Sequence, residues 1–296
     1  MCLSVSVAGI SFCGSDVGGF FRNPEPELLT ERREPYLLPE NERSAVRAAL
    51  KTRYALLTLW YTMFYEHERY GAPVMRPMLA QYPSDINVFM LDDQYMLADK
   101  LLVRPVLQEG ATSVNVYFPS ADIWYDFDTN EKMDLVGNST IQVDSLKVPV
   151  FQKGGSIIPK KEIARQSSFY MADDPVSLFV AVDLAKKATG TLYIDDERSY
   201  DYRRGKYIYL QFEFDESTLS SRYVDRDSSF ATGSSLGRIV VAGIDDAPSS
   251  VTIHSSDGET KLLNVVNVTN EFFVIEASNT NLALEWQIIF NGAMRE

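Results

Sequence analysis

At 296 residues, 45% hydrophobic and 23% charged, the chain is long enough for about two domains and a sizeable core. Its formal net charge of −13 argues against a nucleic-acid partner, because such a surface needs clustered basic side chains to displace counterions. No uninterrupted apolar run reaches the ~18 residues that cross a bilayer, so membrane insertion is not expected.

The beginning of the chain lacks a positively charged n-region and is interrupted by serines, so it does not read as a signal peptide. Residues 3–13, LSVSVAGISFC, read as a buried strand that delivers a glycine-rich turn, CGSDVGGF, at 13–20. Gly14, Gly18 and Gly19 permit positive φ and close backbone approach, and Asp16 is the only acid among these eight residues. On a parallel α/β barrel such a strand-end turn faces the active site. The structural alternative is a tight turn in which Asp16 accepts hydrogen bonds from local N–H groups. Cys2 and Cys13, on or beside one straight strand, would lie too far apart to bridge, which predicts two free, buried thiols.

After the turn, Asn23-Pro24 and Pro26 announce at most one helical turn, and residues 31–40, ERREPYLLPE, read as loop. A βαβ unit needs a crossover helix and a second strand, and neither is found between Phe20 and Pro39.

Residues 41–70 carry apolar positions Val46, Leu50, Tyr54, Leu57, Tyr61 and Phe64 at spacings of three and four, with Gly71 and Pro73 behind them. This predicts one amphipathic helix of roughly 28 residues. His67, near its C-terminus, suits the helix dipole better than a catalytic role, since no acid, cysteine or serine pattern surrounds it.

From Gly71 onward the texture is strands. SVNVYFP at 113–119 alternates cleanly, and VPVFQKGGSIIP at 148–159 is two short apolar strands around Gly154-Gly155. Residues 160–175, polar and irregular, are a candidate linker. Beyond it, VSLFVAVDL, TGTLYIDDE, KYIYLQFEF and later runs alternate at the spacing of a β-sandwich. The acid pairs Asp195-Asp196 and Asp245-Asp246 each follow an apolar strand and read as turns with solvated carboxylates in preference to Ca²⁺ or catalytic sites. Two glycosylation tripeptides occur, Asn138-Ser139-Thr140 and Asn267-Val268-Thr269, which matter only in a secretory compartment. No His/Cys cluster has metal-ligand spacing, and no cofactor motif is present.

Taken in order, GISFCGSDVGGF, RREPYLLP, RYALLTLWYTMFYEH, GAPVMRPM, DDQYMLADKLLVRPV, IWYDF, VPVFQKGGSIIP and LYIDD resemble the C-terminal half of glycoside hydrolase family 31, in its α-glucosidase branch. The resemblance covers almost the whole chain and weakens after about Arg222. It implies a fold that is mainly β with a helical front end. The C-terminal remnant of a (β/α)8 barrel, about one strand and one long helix at 1–85, would precede two β-sandwich domains, proximal at 86–165 and distal at 166–296. It also implies removal of terminal α-linked glucose with retention, which takes two carboxyl groups about 5–5.5 Å apart.

In the family both carboxyls are aspartates, in W-x-D-M-N-E and G-D-N type motifs, and neither motif is present in these residues. By resemblance Asp16 and Phe20 are substrate-binding residues that line the subsite of the glucose to be cleaved, with Ser15 standing where relatives usually have alanine. Thr30 meets Glu31 where relatives have roughly twenty more residues, enough for a helix remnant and a strand. The expectation is therefore a fragment or splice product that is inactive in isolation. The implied substrate is an α-glucoside or glucosylated glycan, the implied partner a regulatory β-type subunit, and the implied compartment the endoplasmic reticulum lumen. The rival expectation is a non-catalytic module whose β-sandwiches bind carbohydrate or a partner subunit.

Overall fold

The computed structural model describes residues 1–14, 39–143, 147–215, 217–244, 246–266, 268–269 and 271–292. Asp16, Phe20, the Thr30–Glu31 junction, Asp245 and Asn267 lie outside the described residues.

The start of the chain is helical where a strand is expected. Helix α1 (Cys2–Val7) ends in a reversal at Gly9, whose φ is +91°, and the Ile10 N–H donates back to the Val5 carbonyl at 2.9 Å. The reversal returns Cys13 to Cys2, and the two form a disulfide with Cα atoms 5.4 Å apart. Both expectations for this stretch are thereby corrected. A straight strand would separate the thiols, whereas a glycine in the left-handed region folds the segment back on itself.

The long helix is two helices, α2 (Glu40–Ala55) and α3 (Leu57–Tyr70), broken for one residue at Leu56 with φ −87° and ψ −1°. Its end is where the sequence places it: Gly71 is left-handed and its N–H donates to the His67 carbonyl at 2.9 Å. The apolar stripe is less uniform than its spacing suggests. α2 buries Val46 but leaves Leu50 exposed, and α3 buries Leu59, Thr62 and Met63.

Nine strands follow: β1 (Met75–Pro77), β2 (Tyr95–Leu97), β3 (Leu101–Val103), β4 (Ser113–Phe118), β5 (Trp124–Asp126), β6 (Lys132–Met133), β7 (Gly137–Gln142), β8 (Val150–Lys153) and β9 (Ser156–Lys160). Six of them form an antiparallel sheet in the order β1-β2-β3-β8-β5-β6, and β4 pairs with β7 as a separate ribbon. The ribbon lies over one face of the sheet, where Val114, Val116 and Phe118 meet Met96, Leu102, Trp124 and Phe151. The opposite face, with Leu101 and Val103, packs on Leu59 and Met63 of α3. Both faces of β3 are covered, which is why Leu101, Leu102 and Val103 are all buried and the strand reads as a continuous apolar run.

The remaining strands are β10 (Val176–Ala181), β11 (Lys187–Ile194), β12 (Ile208–Asp215), β13 (Thr218–Tyr223), β14 (Ser235–Ala242), β15 (Ser250–Ser255), β16 (Thr260–Val266), β17 (Phe272–Asn281) and β18 (Trp286–Asn291). Together with β9 they close into a barrel in the order β10-β14-β17-β16-β15-β18-β13-β12-β11-β9, which corrects the expected distal β-sandwich, since strand alternation is the same in both and only the β9–β10 and β9–β11 pairings close the ring. Alternation sets the inside: along β12, Leu210, Phe212 and Phe214 enter the core beside Trp286 and Phe290, while Gln211, Glu213 and Asp215 face outward.

Residues 160–175 are packed, not a free tether. The buried Lys161 ammonium donates to the Met171 and Ala172 carbonyls at 2.7 and 2.8 Å, and Arg165 pairs with the buried Asp174 carboxylate. Polar composition misleads here because the buried Lys161 and Asp174 charges have partners supplied by the segment itself. Among the described residues no helix is long and apolar enough to cross a membrane.

Candidate functional site

The two predicted substrate-binding residues, Asp16 and Phe20, are outside the described residues, but the stretch that leads to them is described as far as Gly14. It is fastened at three successive points. Ser11 Oγ lies 3.2 Å from His67 Nδ1, the Phe12 ring stacks on Phe64 with centroids 4.1 Å apart and planes at 10°, and Cys13 is bonded to Cys2. His67 Nδ1 also lies 3.0 Å from the Ala72 carbonyl oxygen. A carbonyl can only accept, so the geometry fits the tautomer with the proton on Nδ1. His67 thus ties the end of α3 to the N-terminal stretch, in keeping with a structural role.

α3 is itself locked to the barrel. On the face opposite Phe64 and His67, successive side chains Tyr61, Thr62, Tyr65 and Glu66 recur at helical spacing and meet β11 and β12. Tyr61 donates to Asp195 Oδ1 at 2.7 Å, and Tyr193 donates to Asp195 Oδ2 at 2.8 Å. The Glu197 N–H adds a third bond to Asp195 at 2.7 Å. Glu66 Oε1 accepts from Thr191 Oγ1 at 2.6 Å and from the Tyr209 hydroxyl at 2.9 Å. Thr62 Oγ1 donates to the Thr58 carbonyl and accepts from the Tyr193 N–H, at 2.9 and 3.0 Å. Tyr65 stacks on Tyr193 with centroids 3.9 Å apart.

Electrostatics make this network a one-way set of donors and acceptors. Burial first, and the Asp195 carboxylate next, push the Tyr61 and Tyr193 phenols well above their ordinary range. Burial and Glu66 do the same to Tyr209. The phenols stay neutral and donate, and the carboxylates accept.

The reading of the Asp195-Asp196 pair as solvated is correct for Asp196, which is exposed and accepts from the Arg198 and Ser199 N–H groups at 3.1 and 3.0 Å. It is corrected for Asp195, which is buried under two tyrosines. Glu66 and the tyrosine cluster escaped the sequence reading. A signal for them exists, since Tyr61 and Tyr65 stand one helical turn apart while Tyr193, Tyr207 and Tyr209 share one face of adjacent strands.

An open groove of about 850 Å³ lies along the outside of β12, β13, β15 and β18. Four of its charges pair with one another, Arg222 with Glu213 and Lys187 with Asp215 at 3.0 Å, and Glu285 pairs with Arg226 at 3.2 Å. Its one aromatic residue, Trp286, has its ring in the barrel core against Phe212, so the groove offers no ring for a sugar to stack on. Among the described residues no group of three or more His, Cys, Asp or Glu side chains could hold a metal ion.

Residues 71–158 match the glycosyl hydrolase family 31 C-terminal domain. The chain is 39% identical to human neutral alpha-glucosidase AB over 310 aligned positions, covering 97% of this chain and 33% of that protein. The glucosidase II alpha subunit solved with Glc1Man2 bound superposes with a TM-score of 0.90 at 31% identity, over 98% of this chain and 36% of that one. The ER glucosidase II heterodimeric complex, of the catalytic subunit with the binding domain of the regulatory subunit, gives a TM-score of 0.92 at 31% identity, over 98% and 35%. The chain spans about a third of the length of the curated relatives it matches. Residues 71–158 thus carry the glycoside hydrolase family 31 C-terminal domain, and nearly the whole chain is similar to part of neutral alpha-glucosidases and of the glucosidase II alpha subunit.

Proposed function

We propose that the chain serves a retaining α-glucosidase that removes terminal α-linked glucose from a glucosylated glycan, with Asp16 and Phe20 lining the subsite of the glucose to be cleaved. The observation that carries this reading is the backbone match over 98% of the chain to a glucosidase II alpha subunit solved with Glc1Man2 bound. In it, α1 to α3 form the closing part of a (β/α)8 barrel within residues 1–85, and two β domains buttress that part, 86–165 through Leu101 and Val103 and 166–296 through the tyrosine network on α3. The nucleophile and acid/base motifs do not occur in these 296 residues, so the polypeptide by itself does not turn over α-glucosides.

The partner proposed is a regulatory β-type subunit, as in the heterodimeric neighbour. The compartment proposed is the endoplasmic reticulum lumen. The Cys2–Cys13 disulfide supports this, because such bonds persist in oxidising compartments.

The rival reading is a non-catalytic module that would bind through the outer groove, whose charges are already paired and which presents no aromatic ring to a sugar. Calorimetric titration of the chain with maltose separates the two. Affinity that disappears in Asp16→Ala supports the subsite, and affinity that survives Asp16→Ala but disappears in Arg222→Ala transfers the function to the groove.

A further inference from the structure

We infer that Asn138 is a site of N-glycosylation, with the first sugar of the glycan lying over the Tyr117 ring; the inference rests on the lumenal compartment proposed above. The tripeptide Asn138-Ser139-Thr140 meets the acceptor rule, with serine in the middle and a hydroxyl residue two positions on. Its setting makes it usable in the folded protein. β7 alternates, so Asn138 and Thr140 are exposed while Ile141 packs toward the core beneath the ribbon. A branched glycan on Asn138 therefore projects into solvent and displaces no core side chain.

The neighbour across the ribbon gives the sugar a seat. Asn138 pairs with Tyr117 of β4, and directly opposed residues on one face of an antiparallel pair have Cβ atoms about 4.5–5.5 Å apart. Tyr117 is held in place at its far end, where its hydroxyl donates to Asp85 Oδ2 at 2.6 Å and accepts from Asn87 Nδ2 at 3.1 Å. A half-buried ring fixed in this way presents an apolar face to the C–H face of N-acetylglucosamine at little further entropic cost. The adjoining row is polar, with Thr140 Oγ1 donating to Asn115 Oδ1 at 3.0 Å. Among the described residues β7 pairs only with β4, so its outer edge is open. A glycan there also shields that edge from pairing with other chains.

The test is to direct the 296-residue chain into the secretory pathway of cultured eukaryotic cells with an added leader. Peptide-N-glycosidase F treatment is then followed by peptide mass mapping, which reads the Asn-to-Asp change that marks an occupied site. Alkylation of free thiols in the same sample reports whether Cys2–Cys13 is oxidised. Occupancy at Asn138 in oxidised chains, lost in N138Q, is the expected result. Oxidised chains with Asn138 unmodified overturn the site while leaving the compartment reading intact. Occupied Asn138 in the targeted chain, beside reduced cysteines and an unmodified Asn138 in the protein from its natural source, supports the site and overturns the compartment. The seat on Tyr117 is read by heating: removing the glycan lowers Tm by about 2 °C in the wild type and in Tyr117→Phe, which keeps the ring. An unchanged Tm in both overturns the seat.

Discussion

Tyr61 of α3 donates its phenolic hydrogen to Asp195, 134 residues further along the chain, at 2.7 Å. The bond joins the helix that holds the Ser11–Cys13 stretch to the barrel that follows it. Asp195→Ala leaves the Tyr61 and Tyr193 hydroxyls without their acceptor, a loss of about 1–3 kcal/mol for the buried Tyr193 and less for the half-buried Tyr61. Urea unfolding should show a lower midpoint for Asp195→Ala than for Asp196→Ala, whose carboxylate is exposed and bonds only to nearby N–H groups. Equal midpoints would remove Asp195 from the account of how α3 is held.

Lys160 makes stability depend on pH. Its ammonium lies 3.8 Å from the Phe127 ring centroid and 3.7 Å from that of Phe179, at the seam between the six-stranded sheet and the barrel. Burial pushes this lysine down to about 7, against the attraction of Glu162 and Asp128, while the ring faces favour the cation. Between that value and the ordinary lysine range of about 10.4, the unfolded chain holds a proton that the folded chain has released. Stability therefore rises with pH across this window. Lys160→Met should flatten the profile of urea midpoint against pH between 7 and 10, and a slope retained in the variant would assign it to another group.

Gly243 has φ +86°, and a Cβ placed on it would meet the Tyr125 hydroxyl at 2.0 Å. That hydroxyl donates to the Val182 carbonyl at 2.8 Å, joining the six-stranded sheet to the barrel. Gly243→Ala both strains the backbone and displaces a buried tyrosine, each costing about 1–3 kcal/mol. A Tm drop of several degrees, beyond that of Gly258→Ala where φ is +89° and nothing lies within 4 Å, is the expected result.

The disulfide closes a short loop at the head of the Asp16 stretch. Cys13→Ser releases it, and about 3 kcal/mol of constraint on the unfolded chain goes with it, the figure for a loop of comparable length. Limited proteolysis should cut within residues 1–14 faster in the variant than in the wild type, with cleavage in the barrel unchanged.

Much of the β architecture was legible because alternation reports burial directly: IYLQFEFD in β12 places Leu210, Phe212 and Phe214 inward without further information. The end of α3 was equally legible from Gly71. Two features were not. Residues 3–13 have a strand's composition, and a single glycine reversal together with a disulfide overrides it. Asp195 and Asp196 are chemically identical neighbours, and which one is buried depends on tyrosines from a helix far away in sequence. The candidate subsite at Asp16 and Phe20 rests on resemblance alone and lies outside the described residues, since a lone acid in a glycine-rich stretch fits a structural turn as well as a pocket wall.

These 296 residues are proposed above to support an α-glucosidase pocket without supplying either carboxyl group of the reaction. The most direct test is hydrolysis of p-nitrophenyl α-glucoside by the purified chain, followed alongside its Asp16→Asn variant to exclude host enzyme. No release of p-nitrophenol above the variant or the buffer is the expected result. Turnover by the wild-type chain that Asp16→Asn abolishes would contradict it, and would make Asp16 a catalytic residue.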